Sequence, residues 1–468
     1  MRILSSVFIT VLAVFFLLVA PKYIPERADI VIIGAGAAGM RAAMESRLYT
    51  DKIILLEKMS YPGGNSNRAS GGFNAALSTQ DQMAYQRDTM EAGHFQGNES
   101  LIRIMIEHSG EALKWLQDQG ADLSDRGLLA GHGHRRTFRP SGGSPVGREI
   151  TSVLLRAVTK QGIDLRTENK ALSITQKKNS LMVLVQNPTG REYRIRARSV
   201  IIATGGFGGN LEMVVRYNPK MKGFNTTNSP GASGDFINLT RDLPVKLVHL
   251  EDIQTHPTVE PDFGILITEA LRGNGGILVN SQGLRFTDEL AFREVLTRKI
   301  QEENEDFIWL IFDQGVRESL LSSEYYFEKE LVWAGDTILT LAEKIALPET
   351  NLETTLQVWN ESVRQGVDNL FQRQDLSVPL ENPPYYAIKV TPGIHYCMGG
   401  LAINEQAQVL DTQDGTIAGL YAAGEATGGI HGKDRLGGNS LIDAMVFGEI
   451  AGREAAVYAL DRDISEDP

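Results

Sequence analysis

Residues 29–40 read DIVIIGAGAAGM, and residues 53–57 read IILLE. A short apolar run feeds Gly34-x-Gly36-x-x-Gly39, a helical stretch follows at 40–48, and a second apolar run closes on Glu57. This is the pattern of a β-α-β unit. The first glycine allows a tight turn, the second lets a pyrophosphate approach the backbone, and the third lets the helix pack on the strand. Glu57 stands eighteen residues beyond Gly39, placed to bond a ribose hydroxyl and to repel a 2′-phosphate. A bare glycine fingerprint says little, but the strand before it, the helix after it and the acid at the second strand's end make it specific. The expectation is a Rossmann-like α/β domain that binds FAD or NAD rather than NADP.

Three further stretches bear on the choice of cofactor. Residues 62–76, PGGNSNRASGGFNAA, form either a surface loop or one that wraps a long ligand with main-chain donors. Residues 199–210, SVIIATGGFGGN, are another apolar run ending in Ala203-Thr204-Gly205-Gly206. Residues 393–447 place His395 in a small-residue turn. An apolar strand ending in Ala-Ala-Gly-Glu at 422–425, a glycine-rich loop with Arg435 and an apolar helix follow. Backbone amides can approach an anion closely there, and a His and an Arg on the same loops could hold a carboxylate. Two glycine-ended strands plus this loop suit an extended FAD better than a nicotinamide nucleotide.

The chain has 468 residues, 42% hydrophobic and 22% charged, which fits two domains or one large domain with an insertion. A net charge of -12 leaves no basic face for nucleic acid, but a few cleft arginines could still attract an acidic substrate. The lone cysteine, Cys397, rules out an intrachain disulfide, a cysteine-ligated iron–sulfur cluster and a CxxCH haem attachment. His132 and His134 share a loop without a third ligand at metal spacing, so no metal site is expected. Residues 3–20, ILSSVFITVLAVFFLLVA, are apolar all round, unlike the single stripe of a core helix. They make 1–24 a signal peptide or membrane anchor. Pro21 after Val19-Ala20 is a poor cleavage site and favours the anchor. Arg2 before the run and Lys22 and Arg27 after it set no orientation. The expected location is exported or membrane-anchored, in a periplasm or a secretory-pathway lumen.

Residues 80–118 and 147–160 have helical spacing, and 164–200 alternate as hairpin strands around Asn187-Pro188-Thr189-Gly190. Between them the basic loop 131–143, GHGHRRTFRPSGG, either approaches the site or stays exposed. Beyond 247 come amphipathic helices at 336–348 and 351–365, with no nucleotide-binding glycine motif. The reading is an α+β capping domain at 247–380 inserted in a domain made of 28–246 and 381–468. The last residues, DRDISEDP, read as a frayed acidic tail. Polar groups gather at 253–293. Glu269 and Arg272, three apart in TEALR, can pair on one face of a turn or helix, which a structural ion pair explains equally well. His256 and Arg293 pass as surface residues on spacing alone.

The fingerprint, the PGGNS…SGGFNAA loop, ATGG and GLYAAGE together resemble the succinate dehydrogenase/fumarate reductase flavoprotein family. The likeness is greatest to its soluble, single-subunit fumarate reductases, including the flavin part of the flavocytochrome c type, and runs from about residue 28 to 455. It implies FAD, with contacts at Gly34, Gly36, Ala38, Gly39, Glu57, Lys58, Gly64, Asn65, Ser66, Ser70, Gly71, Gly72, Ala203, Thr204, Gly205, Gly234 and Asp235. The C-terminal contacts are Gly424, Glu425, Arg435, Gly438, Asn439, Ser440 and Leu441. It also implies hydride transfer from reduced FAD to fumarate, giving succinate. His256, Thr268, His395 and Arg435 then hold the two carboxylates of this small dicarboxylate. Arg293 gives the proton, resupplied through Glu269 and Arg272. Asn65 falls where membrane-complex members carry a His bonded covalently to flavin, so non-covalent FAD is expected. With no haem or cluster motif, electrons must come from a reduced flavin, an electron-transfer protein or quinol. The alternatives are turnover of another unsaturated carboxylate (urocanate-like or acrylate-like), in either direction, and a non-catalytic flavin redox sensor. L-aspartate oxidase is disfavoured by the apolar N-terminus, and 3-ketosteroid dehydrogenase by the carboxylate-binding set.

Overall fold

Ile30 to Ile33 are buried on both faces in the middle of a parallel sheet, the environment that an uninterrupted apolar run requires. The computed structural model describes residues 25–129, 131–376 and 378–461; the leader or anchor expected at 1–24 and the tail from 462 lie outside the described residues. Among the described residues no helix is long and apolar enough to cross a membrane.

The chain enters on β1 (Glu26–Ile33), turns through Gly34–Gly36 into α1 (Ala37–Ser46), and returns on β2 (Ile53–Leu56). The stretch expected as one helical region at 80–118 is three helices, the first being α2 (Thr79–Ala92). Ser78 caps α2 by accepting from Asp81 N at 3.2 Å. β3 (Asp164–Arg166) pairs parallel to β2, and β4 (Glu192–Ile202) pairs parallel to the other side of β1. The hairpin strands Lys170–Gln176 and Leu181–Gln186 extend antiparallel from β4.

After β5 (Ile253–Val259) come the short α3 (Glu269–Gly273), then α4 (Arg293–Glu302), β6 (Ile308–Asp313) and the long β7 (Tyr385–Cys397). β8 (Thr416–Ala422) then returns to the first sheet beside β4, giving the order β8-β4-β1-β2-β3, and α5 (Asn439–Leu460) ends the described chain. α5 lies against α1 through small residues: a Cβ on Gly452 would stand 2.4 Å from Ala42 O. That close fit fixes the N-terminus of α5 beside the Gly34 turn.

Two apolar cores result. One is drawn from residues 28–253 and 394–459, the other from residues 267–390. β7 belongs to both: its first half pairs with β6 and its second half with β5. The strand therefore carries the second core directly to the wall of the site. The architecture is an α/β Rossmann-like FAD-binding domain with an α+β cap inserted in it.

Candidate active site

One long cavity, about 670 Å³, runs from Ile33 and Glu57 past α5's first turn to His256 and Arg293. Its first part is the glycine turn. Gly34 has φ 104°, a region L side chains rarely adopt, and a Cβ there would meet Ala203 O at 2.3 Å. Gly36 caps α1 without a side-chain hydrogen bond; Ala37 N donates to Ser66 Oγ at 3.2 Å, and the positive end of the helix favours an anion there. The Glu57 carboxylate accepts from Ala35 N at 3.0 Å and Met59 N at 2.8 Å, which holds it rigid at the end of β2. Thr204 Oγ1 is buried on the cavity wall with no hydrogen-bond partner. Glycine turn, helix N-terminus, fixed acid and orphaned hydroxyl together fit an extended dinucleotide such as FAD.

Most of the positions expected at cofactor or substrate line this cavity; four stand off it. Gly39 packs helix on strand, since its Cβ would lie 1.9 Å from Gly34 O. Gly234 is a left-handed helix cap pressed on Met213, with a would-be Cβ 2.5 Å from the sulfur. Asn439 turns away to accept from Tyr85 Oη at 2.6 Å and Asn74 Nδ2 at 2.7 Å. Arg272 sits behind the wall, with Nη1 donating to Glu289 O, while Nε and Nη2 have no hydrogen-bond partner.

The far end of the cavity gathers polar groups from five places in the chain, the loop of Arg435 among them. β5 brings Gln254 and His256, Thr268 caps α3, Glu269 opens α3, and Arg293 opens α4. His395 comes from β7 rather than from a turn: Gly393 pairs with His256, Ile394 with Thr255 and Tyr396 with Gln254, and His395 stands at the register shift between the last two pairs. Glu269 pairs with Arg293, accepting from Nη2 at 2.9 Å and Nε at 3.2 Å, in place of the expected pairing with Arg272. The spacing on α3 allows the latter, but α4 brings a second arginine closer. Gln254 Oε1 accepts from Arg293 Nη1 at 3.0 Å and from Arg435 Nη2 at 2.9 Å. One neutral oxygen thus joins two guanidinium groups that repel each other. The Arg435 guanidinium also lies 4.4 Å from the centre of the Tyr396 ring, a cation–π distance.

The two histidine rings are 5.3 Å apart and edge-on. Burial holds both well below the ordinary imidazole range, and the nearby Arg293 charge lowers them further. Both rings are therefore neutral near pH 7, and the site's positive charge resides in its arginines. Burial lowers Arg272 and Arg435 to about 10. Burial raises Glu425, on the flavin-side wall, to about 7, although Asn65 Nδ2 donates to it at 3.0 Å. Among the described residues no group of His, Cys, Asp and Glu could hold a metal ion.

Several residues here carry no motif signal. Asn228 Oδ1 accepts from Asn65 Nδ2 at 2.6 Å, and Thr227 Oγ1 lies 2.8 Å from His395 Nδ1. Tyr326 Oη accepts from Thr268 N at 2.8 Å, tying the cap to the cavity wall. Gln254 could have been found, because it stands two residues before His256 and a strand repeats its faces every two residues. The loop 131–143 is divided: His132 and Arg136 are buried, while His134 and Arg135 are exposed.

A family model described as FAD binding domain matches residues 29–441. The chain is 38% identical over 448 residues to a probable fumarate reductase, Ifc3, of Shewanella frigidimarina, covering 93% of this chain and 76% of that protein. It is 31% identical over 467 residues to a urocanate reductase of Eggerthella lenta, covering 94% of this chain and 76% of the relative. Among solved structures, the open conformation of a flavocytochrome c3 fumarate reductase superposes with a TM-score of 0.78 at 37% identity, covering 95% of this chain and 80% of that one.

Proposed function

Since the chain belongs to the succinate dehydrogenase/fumarate reductase flavoprotein family, as an FAD-dependent oxidoreductase acting on CH–CH groups, we propose that it reduces fumarate to succinate. The observation that carries this reading is the convergence of Arg293, Arg435, His256 and His395 at one end of the cavity. Arg435 brings positive charge to a dianion beside Arg293, whose own charge is shared with Glu269 at 2.9 Å, and two neutral imidazoles add donors without excess charge.

Reduced FAD, held without a covalent bond, supplies a hydride to one alkene carbon when bound. His256, Thr268, His395 and Arg435 hold the two carboxylates. A Thr227 hydroxyl donating to His395 Nδ1 leaves Nε2–H for the substrate. Polarising a carboxylate favours the electron-rich species that forms as hydride arrives. Arg293 delivers the proton to the other carbon. An arginine is normally never deprotonated. Glu269, hydrogen-bonded to it, can return a proton at once, and Arg272, buried and lowered to about 10, is a fitting supplier to Glu269. The span 247–380 is read as a cap that closes over the substrate, which its separate apolar core supports. Electrons come from an external donor, and the apolar run at 3–20 supports export or membrane anchoring.

The second reading is a different unsaturated carboxylate, favoured by the urocanate reductase relative. Steady-state turnover with an artificial one-electron donor separates the two. Fumarate consumption with stoichiometric succinate is expected, and urocanate and acrylate should turn over at least about a hundredfold less efficiently, the discrimination that unpaired buried donors impose. Preferred turnover of either competitor would overturn the fumarate assignment.

A further inference from the structure

We propose that His132 is a positioning residue for this reaction: it fixes the Gly437–Gly438 peptide so that the Gly438 N–H faces the cavity shared by flavin and substrate. The proposal rests on the FAD-dependent reading above. The loop 434–438, DRLGG, carries Arg435 and ends at Gly438, the left-handed cap of α5. The Gly437 carbonyl accepts from Asn74 Nδ2 at 2.7 Å and from His132 Nε2 at 3.0 Å. In a planar trans peptide the C=O and the following N–H point in opposite directions. Pinning the oxygen toward Asn74 and His132 therefore turns the Gly438 N–H the other way, and Gly438 lines the cavity. The N-terminal amides of α5 act in the same sense there, since that end carries the positive pole of the helix.

The neighbours of His132 fix which atom donates. Arg136 Nη1 can only donate and lies 3.2 Å from Nδ1, while the Gly437 carbonyl can only accept and lies at Nε2. Only a neutral ring with its hydrogen on Nε2 satisfies both. Burial pushes this imidazole down to about 4, so it stays neutral throughout the working range. Arg136 is itself held by Asp81 at 3.0 Å and Asp88 at 2.6 Å, both on α2. The chain from α2 to Arg136, His132 and Gly437 thus reaches the loop from behind. The loop has little slack at Gly438, where φ is 83° and a Cβ would stand 2.4 Å from Asn74 Oδ1.

His132→Asn keeps a buried amide but withdraws it from the carbonyl; His132→Gln can still reach it. In His132→Asn, KM for fumarate should rise about tenfold, the weight of one hydrogen bond, while kcat changes less than about threefold. The reduced form of the bound flavin should lose about tenfold in stability against the oxidised form, a potential about 30 mV more negative. His132→Gln should bring both within about threefold of wild type. The potential is measured by anaerobic dye equilibration without substrate. A wild-type protein inert to fumarate would therefore defeat the proposed function yet leave His132 testable. If His132→Asn lowers the melting temperature but leaves KM and potential within about twofold of wild type, the residue is merely structural and the proposal falls. Should that variant not fold, nitrogen-15 histidine spectra of the wild-type holoprotein decide. An Nε2–H ring at neutral pH is expected, and an Nδ1–H or protonated His132 overturns the proposal.

Discussion

Replacing Gln254 with Leu removes the oxygen that joins Arg293 and Arg435 while nearly conserving volume. That oxygen accepts two charge-assisted bonds, at 3.0 and 2.9 Å. Each such bond contributes about 1.5–3 kcal/mol. In the substrate complex a carboxylate can replace the lost acceptor for Arg435, so on the acceptor side the lasting loss falls on Arg293. Loss of the Nε2 bonds to Asp434 Oδ1 and the Arg435 carbonyl adds to it, so the Arg293 share is a lower bound. About 1.5–3 kcal/mol of transition-state stabilisation corresponds to a fall in kcat/KM of roughly 10- to 150-fold. The loss should appear chiefly in kcat, because Arg293 is assigned to the proton and not to carboxylate binding. The Gln254 side chain does not line the cofactor part of the cavity, so FAD affinity should stay within about twofold of wild type. Steady-state kinetics with fumarate, beside a flavin titration of the apoprotein, measure both. A kcat/KM within about threefold of wild type would refute the view that this shared oxygen holds the proton donor in place.

Two further outcomes follow from the same geometry. Glu425 is raised from 4.5 to about 7 by burial, so the folded protein binds more protons than the unfolded chain between those values, and stability falls as pH rises through them. Glu425→Gln should therefore stabilise the FAD-free protein at pH 8 by up to about 3 kcal/mol relative to its effect at pH 4.5. Urea unfolding at both pH values tests this, and an equal effect at both would contradict it. Asn65 already makes hydrogen bonds to Asn228 and Glu425 and offers no nucleophilic ring nitrogen, so acid precipitation should release all the flavin into the supernatant. Yellow colour retained in the washed pellet would show a covalent link elsewhere.

The fold was legible where local chemistry allows one solution. Gly34, Gly36 and Gly39 with Glu57 admit a β-α-β unit, and the structure builds one with Gly39 packed against the turn. Beyond the change of pattern near 247 the structure has a second apolar core, drawn from residues 267–390. Conformations set by distant pairing were harder to read. Glycines at 393, 399 and 400 suggest a turn around His395, yet β5 and β6 pair along 385–397, with His395 at a register shift in that strand. Glu269 and Arg272 have pairing spacing, but Arg293, far along the chain, takes the carboxylate. The loop 131–143 left two readings open, and the structure divides it residue by residue. Arg136 is wholly buried because Asp81 and Asp88 await it on α2, a complement that its own neighbours in the chain cannot reveal. Gln254, Thr227 and Asn228 bond to groups that the motifs name without belonging to a motif themselves.

The central claim is that Arg293 protonates a fumarate held for hydride transfer. The most direct measurement is anaerobic stopped-flow re-oxidation of the dithionite-reduced protein by fumarate, in wild type and in Arg293→Ala and Arg293→Lys. The account predicts rapid re-oxidation of the wild type, with succinate formed one for one. Both variants should be slower by at least about a thousandfold, since a lysine lacks the planar fork that meets Glu269 and Gln254 together. An Arg293→Ala protein re-oxidised at the wild-type rate would contradict the account and pass the proton to another group.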